Sequence, residues 1–394
     1  MQDRLRIAIV GYGAAGQAAA LFLSAQGHAL SVYEQAAAPG PVGAGFLLQP
    51  TGLGVLARLG LHDQVLAQGQ RIERLHGVNR HGRRVMDMCY ADHASACFGL
   101  GLTRGSLFTV LRDAYRDAPR IHTGVCIEAL SEDGEHLRDS QGGVHGPFDL
   151  IVVADGAHSR LRQGVSQQVR RQAMYRWGAL WCLLPAEQWP HRTELRQRYG
   201  GTREMIGLLP VGQRADRGGH WLTFYFSLPG EQVDAFDAAG LARLQERVAA
   251  LWPEAVPLLD GITSPDQLHR ARYRDVVLRS PVHGRMVFLG DAAHAMSPQL
   301  GQGVNMALLD AEALADALAA TPQVDVALQD YRRRRRDHLA VYQWMSRWLT
   351  PLFQSDHDGL ARLRDVAFHP LSRLPLARGQ MLKILMGTKK AWWR

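Results

Sequence analysis

The chain has 394 residues, 46% apolar and 21% charged, enough to bury a sizeable core over two or three domains. Its formal charge of +8 is uneven: 14 basic and 4 acidic residues follow Asp330, so residues 1–330 carry −2 and the basic excess belongs to the C-terminal segment. All three lysines (Lys383, Lys389, Lys390) lie there, which excludes Schiff-base chemistry and a P-loop lysine in the body, and no apolar run approaches the ~20 residues of a membrane span.

The first predicted element is a buried parallel strand at residues 6–10 (RIAIV). After a glycine turn, an Ala/Leu-rich helix covers residues 14–26 with Gly27 at its C-terminal cap. A second strand over 29–33 ends at Glu34 and completes a βαβ unit, the opening of a doubly wound sheet. The Gly-Tyr-Gly after Val10 makes this segment a strand and turn rather than a signal peptide, and the expected location is cytoplasmic. Residues 50–66 read as one further helix. From 71 to about 102, and from 174 to about 278, aromatic and β-branched runs alternate with Gly/Pro turns, which predicts antiparallel strands. The first texture then returns. Residues 148–154 (FDLIVVA) lead into Asp155-Gly156, and residues 285–289 (RMVFL) lead into Gly290-Asp291. An Ala/Leu-rich helix runs from Val304 to about Leu318, with a helical segment beyond it. The expected class is α/β. A discontinuous Rossmann-like domain covers 1–70, 103–173 and 279–330, a mixed β-sheet domain is inserted at 71–102 and 174–278, and 331–394 form a C-terminal helical segment.

Gly11-Tyr12-Gly13-Ala14-Ala15-Gly16 fits G-x-G-x-x-G between a strand and a helix. The first glycine makes the tight turn, the second lets a pyrophosphate approach the backbone, and the third lets helix pack closely on strand. Phosphates favour the helix N-terminus, where free N–H groups and the dipole meet negative charge. Glu34, 23 residues after Gly11, is placed to accept ribose hydroxyl protons. Two later segments narrow the choice of dinucleotide. Residues 154–162 (ADGAHSRLR) follow one strand. Gly290-Asp291-Ala292-Ala293-His294 follow another, with Pro298 and Gly301-Gln302-Gly303-Val304-Asn305 beyond.

These three motifs, in this order and at these distances, resemble the FAD-dependent aromatic hydroxylases of the para-hydroxybenzoate hydroxylase class, the class A flavoprotein monooxygenases. The resemblance covers nearly the whole chain. It makes the Rossmann-like part the FAD-binding domain and the inserted sheet the substrate domain. It implies non-covalent FAD, NAD(P)H bound transiently in a groove, and O2. A small aromatic or related electron-rich ring is then hydroxylated through a flavin C4a-hydroperoxide. Carried over to this sequence, it implies cofactor contacts from Gly11, Gly13, Ala14, Ala15, Gly16 and Glu34, and from Arg104 ahead of the Leu107/Leu111 helix. Asp155 and Gly156 would hold the pyrophosphate region indirectly and shape the nicotinamide groove. Gly290 and Asp291 would reach the ribityl chain. Pro298, Gly301, Gly303, Val304 and Asn305 would set a helix N-terminus at the pyrimidine edge of the flavin, where about half a positive charge stabilises the reduced ring.

Where many members place an Arg-Ala pair, this chain has Gly43-Ala44-Gly45-Phe46-Leu47-Leu48, which looks like the salicylate-hydroxylase branch. Leu47 and Leu48 stand where several of those members have a histidine, so no catalytic base is assigned. Tyr331-Arg332, residues 352–356 and the Leu-rich end are similar to the ubiquinone-biosynthesis hydroxylases. A non-hydroxylating flavoenzyme on the same scaffold, a reductase of lipids or quinones, is the alternative. A halogenase fits poorly, because the body has no lysine.

Other residues invite sharper roles. His158 and His294 adjoin the motifs but read as turn supports. Trp177, Trp181, Trp221, Tyr225 and Met205 line either a pocket or a core, and alternation puts Trp221, Thr223 and Tyr225 on one face, Leu222, Phe224 and Phe226 on the other. Five consecutive arginines, residues 332–336, encircle a helix and form no nucleic-acid stripe. Cys89, Cys97, Cys126 and Cys182 show no metal or disulfide spacing. The end of the chain, from Leu374, interleaves Met, Leu and Trp with Lys and Arg. It either packs on the body or makes weak contact with an anionic membrane surface, and is expected to be dispensable for flavin binding.

Overall fold

The computed structural model describes residues 4–40, 43–115, 119–214 and 218–392. A six-stranded sheet has the order Val282–His283, Met286–Phe288, Leu150–Val153, Arg6–Val10, Ala29–Glu34, Arg120–Thr123. All neighbours are parallel except the edge pair Val282–His283 and Met286–Phe288. Strands Arg6–Val10, Leu150–Val153 and Met286–Phe288 lack polar alternation because both faces are covered. Ile7, Ile9, Leu150, Val152 and Val287 pack with helices Ala14–Ala25 and Gly303–Ala320, whereas Ala8, Val10, Ile151, Val153 and Phe288 pack on the other side with Leu161 and Val165.

A seven-stranded sheet has the order His269–Leu278, Val169–Pro185, Gly218–Pro229, Glu204–Arg214, Glu194–Gly200, Arg74–Asn79, Arg84–Cys89. It is antiparallel apart from the parallel pair Glu194–Gly200 with Arg74–Asn79. Leu222, Phe224 and Phe226 are fully buried beneath helix Ala238–Leu251. The alternate face looks toward the small antiparallel sheet of Gly45–Leu48, Gly99–Thr103 and Gln70–Ile72, with the Thr223 hydroxyl oxygen accepting from Gly45 N at 3.0 Å. The boundaries expected near 70 and 102 both fall within this small sheet, and the one at 173 within Val169–Pro185.

One predicted helix divides. Residues 50–66 form Pro50–Arg58 and His62–Gln68. Gly60 between them adopts φ +74, the left-handed C-terminal cap that ends a helix and that a glycine accepts without strain. Helices Val324–Phe353, Asp358–Arg373 and Pro375–Leu385 complete the chain. Leu382, Leu385 and Met386 are buried with Leu47, Ile72, Leu209 and Val211, so this part of the tail packs on the body. Among the described residues no helix is long and apolar enough to cross a membrane.

Candidate cofactor and active site

The three glycine-bearing motifs meet at the ends of neighbouring parallel strands. Gly11 takes φ +101 and donates to the Tyr33 carbonyl at 2.8 Å, and a Cβ there would collide with the Ala154 carbonyl. Asp155 and Gly156 therefore follow directly beside the first turn. Gly290, at φ +57, is wedged so that a Cβ would stand 3.2 Å from Ala307 Cβ and 3.3 Å from Ala15 Cβ. That contact fixes the third motif between the N-terminal parts of helices Ala14–Ala25 and Gly303–Ala320. A Cβ on Gly13 would meet nothing within 4 Å, whereas one on Gly16 would strike the Gly11 carbonyl. The second glycine faces open space and the third is locked into its own turn.

Glu34 stands beside the first turn. Its two carboxylate oxygens accept from Tyr12 N at 2.9 Å and Ala36 N at 2.8 Å, leaving lone pairs for a hydroxyl donor. Arg104 begins helix Arg104–Asp113 behind the N-cap Thr103, and its stem lies against Gly43 so closely that a Cβ on Gly43 would sit 2.5 Å from Arg104 Cδ. Asp155 accepts from Arg160 N at 3.0 Å, but its Oδ1 is buried without a partner, and burial raises its pKa above the ordinary carboxylate value. Asp291 is exposed, with Oδ1 3.9 Å from where a Gly303 Cβ would stand. The 18-residue helix Gly303–Ala320 has no acidic residue in its first turn, so its positive end is uncompensated by its own sequence. Pro298 opens a short turn and Gly301 reverses it at φ +61.

The Asn305 side chain fixes the position of this helix start. It is fully buried and braces the helix against the Gly45–Leu48 strand: Oδ1 accepts from Gln49 N at 2.8 Å, and Nδ2 donates to Gly301 O at 3.1 Å. Beneath the third motif lies a network that the sequence reading did not assemble. Asp310, fully buried, accepts from Gly290 N at 2.8 Å, His294 Nε2 at 2.6 Å and Arg335 Nε at 2.6 Å. Burial alone would raise the Asp310 pKa, but His294 and Arg335 pull it down to about 2. His294 is therefore a support, while His158 is exposed. Arg335 also meets His338 Nδ1 at 2.8 Å, and His338 Nε2 reaches the Gly387 carbonyl at 2.9 Å. Gln302, the N-cap of helix Gly303–Ala320, donates to Leu385 O at 2.6 Å, and Thr51 donates to Met386 O. The tail is thus joined to the motifs rather than standing apart from them. Arg162 was also passed over: it is buried and ties the second motif to the third through Ala157 O at 2.7 Å and Ala292 O at 2.8 Å.

The face of the large sheet beside this cradle carries Thr223 and Tyr225, with the Arg214 guanidinium 4.7 Å over the Trp221 ring. Tyr225 lies over Gly207, where a Cβ would overlap its ring, and its hydroxyl pairs with Gln197. Burial raises the pKa of both Tyr225 and Tyr273, so both stay neutral at physiological pH. A cleft of about 500 Å³ on the opposite face, lined by Phe226, Leu228, Phe236 and Arg247, includes none of the motif residues. Among the described residues no group of His, Cys, Asp and Glu has metal-ligand geometry.

This cradle fits FAD on its own geometry: open space before Gly13, the Glu34 carboxylate beside the first turn, the exposed Asp291 carboxylate at the third motif, and an orphaned acceptor on Asp155. A family model described as an FAD binding domain matches residues 4–343. The 3-amino-4-hydroxybenzoate 2-monooxygenase of Streptomyces cremeus is 30% identical over 364 residues, 90% of this chain and 89% of that protein. The 2-heptyl-3-hydroxy-4(1H)-quinolone synthase of Pseudomonas aeruginosa is 27% identical over 362 residues, 88% of this chain and 91% of that protein. The fold matches Klebsiella pneumoniae HpxO complexed with FAD and uric acid at a TM-score of 0.84 and 22% identity, covering 98% of both chains. The chain belongs to the FAD binding domain family and is an FAD-dependent monooxygenase of the aromatic hydroxylase type.

Proposed function

We propose that the protein uses NAD(P)H and O2 to hydroxylate a small, largely apolar aromatic ring. One observation carries this reading: at the ends of neighbouring parallel strands Gly11 is pressed against Ala154 and Asp155, and Gly290 is wedged between Ala15 and Ala307 of helices Ala14–Ala25 and Gly303–Ala320. Bound FAD supplies the redox chemistry, with hydride from the nicotinamide and activation of O2, so that one oxygen atom reaches the ring and the other leaves as water.

The chain's own residues bind and orient. Glu34 holds the adenosine ribose, and Gly13 leaves room for the pyrophosphate at the N-terminus of helix Ala14–Ala25. Asp291 accepts from the ribityl hydroxyls. The backbone N–H groups at Gly303 and Val304 face the pyrimidine edge, where negative charge accumulates on reduction. Arg104 and the Gly43 turn flank the ring system, and Asp155 with Gly156 borders the nicotinamide groove. The large sheet then forms the substrate domain. Thr223 and Tyr225 meet the substrate alongside apolar Leu47, Leu209 and Val211, with the Pro375–Leu385 helix as a wall that keeps water out. Neutral phenols on Tyr225 and Tyr273 donate hydrogen bonds without introducing charge. The relatives' named ring systems, an aminohydroxybenzoate and an alkylquinolone, support a ring bearing hydroxyl, amino or keto groups.

The test is a screen of phenols, quinolones and prenylated quinone precursors for NAD(P)H oxidation matched by product that carries one atom of labelled O2. NAD(P)H oxidation yielding a reduced product without that atom would replace this reading by the reductase alternative.

A further inference from the structure

The outer faces of the last helices are apolar where a solvated surface would be polar. On helix Asp358–Arg373, Leu363, Val366 and Pro370 fall three and four residues apart, and Leu371, next to Pro370, widens the stripe they form. Leu363 is 60% exposed and Val366 57%. The stripe runs on into the corner before helix Pro375–Leu385, where Leu374 is 56% and Leu376 88% exposed. The helix does not need this face for its own packing. Its inner side already buries Ala361 and Arg364, with the Arg364 guanidinium over the rings of Tyr199 and Phe353. A second exposed cluster stands on the preceding helix and the tail. Trp344 lies 5.4 Å from Trp348 and 4.8 Å from Trp392 between ring centroids, and Trp348 is 63% exposed.

Cations accompany both clusters. Arg362 and Arg373 flank the leucine stripe and Lys390 stands two residues before Trp392; among the described residues none of the three is in an ion pair. We propose that this surface docks the protein on an anionic lipid bilayer. Exposed leucines enter the acyl boundary, tryptophans sit at headgroup depth, and unpaired Lys and Arg meet lipid phosphates. A second copy of the chain is the weaker occupant. A two-fold contact sets a patch against itself, and here Arg362, Arg373 and Lys390 would meet their own copies. The contact is peripheral, since among the described residues no helix can cross the membrane.

The test uses the full-length holoenzyme and vesicles. Wild-type protein should co-sediment with phosphatidylglycerol-containing vesicles at low salt, and about tenfold less with phosphatidylcholine alone or at high salt. Combining Leu371→Gln, Leu374→Gln and Leu376→Gln should reduce anionic-vesicle binding about tenfold or more, with FAD content and unfolding temperature unchanged. Leu376→Glu alone should act in the same direction if the triple change lowers the yield of folded protein. Val144→Gln, equally exposed on the separate strand Val144–His145, should bind like wild type. The proposal is overturned if wild-type protein ignores anionic vesicles, or if the leucine variants bind them as wild type does. It is also overturned if those leucines instead hold together a dimer that the substitutions dissociate.

Discussion

Gly13 and Gly16 belong to one motif, yet they stand in opposite circumstances. A side chain at 13 would project into open space, and one at 16 would collide with the Gly11 carbonyl. Gly13→Val should therefore fold with a near-native unfolding temperature and fail to retain FAD, while Gly16→Val should not fold. A Gly13→Val protein that holds FAD normally would show that the motif has been misread. Asp291→Ala should weaken FAD retention by about 1.5–3 kcal/mol, the range for a hydrogen bond to a charged acceptor, as measured by flavin release on dilution. His338 sets a pH dependence. In its neutral form Nε2–H donates to Gly387 O, and Nδ1 accepts from Arg335. Burial first, and the Arg335 charge second, lower its pKa from 6.5 to about 3. Between these values the unfolded chain binds the extra proton and the folded chain does not. Its contribution is thus complete above pH 6.5 and falls as pH drops toward 3, by at most about 1.4 kcal/mol per pH unit. Denaturant titrations across this window should show a shallower slope for His338→Gln; an unchanged slope would remove His338 from the account.

At the scale of elements, the tail changes most from its sequence reading. Alternating Leu, Met and Lys reveal an amphipathic helix but not the surface it covers. Its partners, Leu47, Leu209 and Val211, lie in segments remote in sequence. Truncation after Leu374 removes Leu382, Leu385 and Met386 from that cluster, at roughly 1.5–3 kcal/mol for each fully buried side chain. It also strips Gln302 of its acceptors. The truncated protein should unfold at a lower temperature in calorimetry and release FAD more readily, contrary to the expectation of a dispensable tail. Equal flavin retention would confine the tail to stability. Strands 6–10, 150–153 and 286–288 were legible because burial on both faces leaves an unbroken apolar run. The break at Gly60 was missed because the apolar pattern continues across it, and only the backbone conformation separates the two helices.

Across the whole molecule, the motifs announced the cofactor because backbone geometry around a pyrophosphate demands glycine at fixed places. Their convergence was legible only by resemblance. No local pattern states that Gly290 will lodge between Ala15 and Ala307, or that Arg162 will span the second and third motifs. Asp310 and Arg335 were equally silent, since one of three acidic residues in an Ala/Leu helix and one arginine among five look like surface residues. The faces of residues 221–226 were visible as an alternation without a direction, and the Thr223 contact with Gly45 shows which of them meets the Gly45–Leu48 strand.

The order of strands in the six-stranded sheet also bears on how the protein is born. Arg6–Val10 needs Leu150–Val153 on one side, and that strand in turn needs Met286–Phe288. At the usual pace of translation, about 5–20 residues per second, roughly 15–60 s separate the emergence of the first strand from that of the last. For about half of that interval, until residues 150–153 emerge, the first βαβ unit waits with one edge unpaired, a state open to proteases and to chaperones. Ribosome-bound chains stalled before residue 150 should be cleaved readily near the first strand, and those stalled before residue 282 should hold no FAD. Chains long enough to expose residue 386 should become resistant and capture it. Loading of the cofactor is then among the last events in the making of this enzyme.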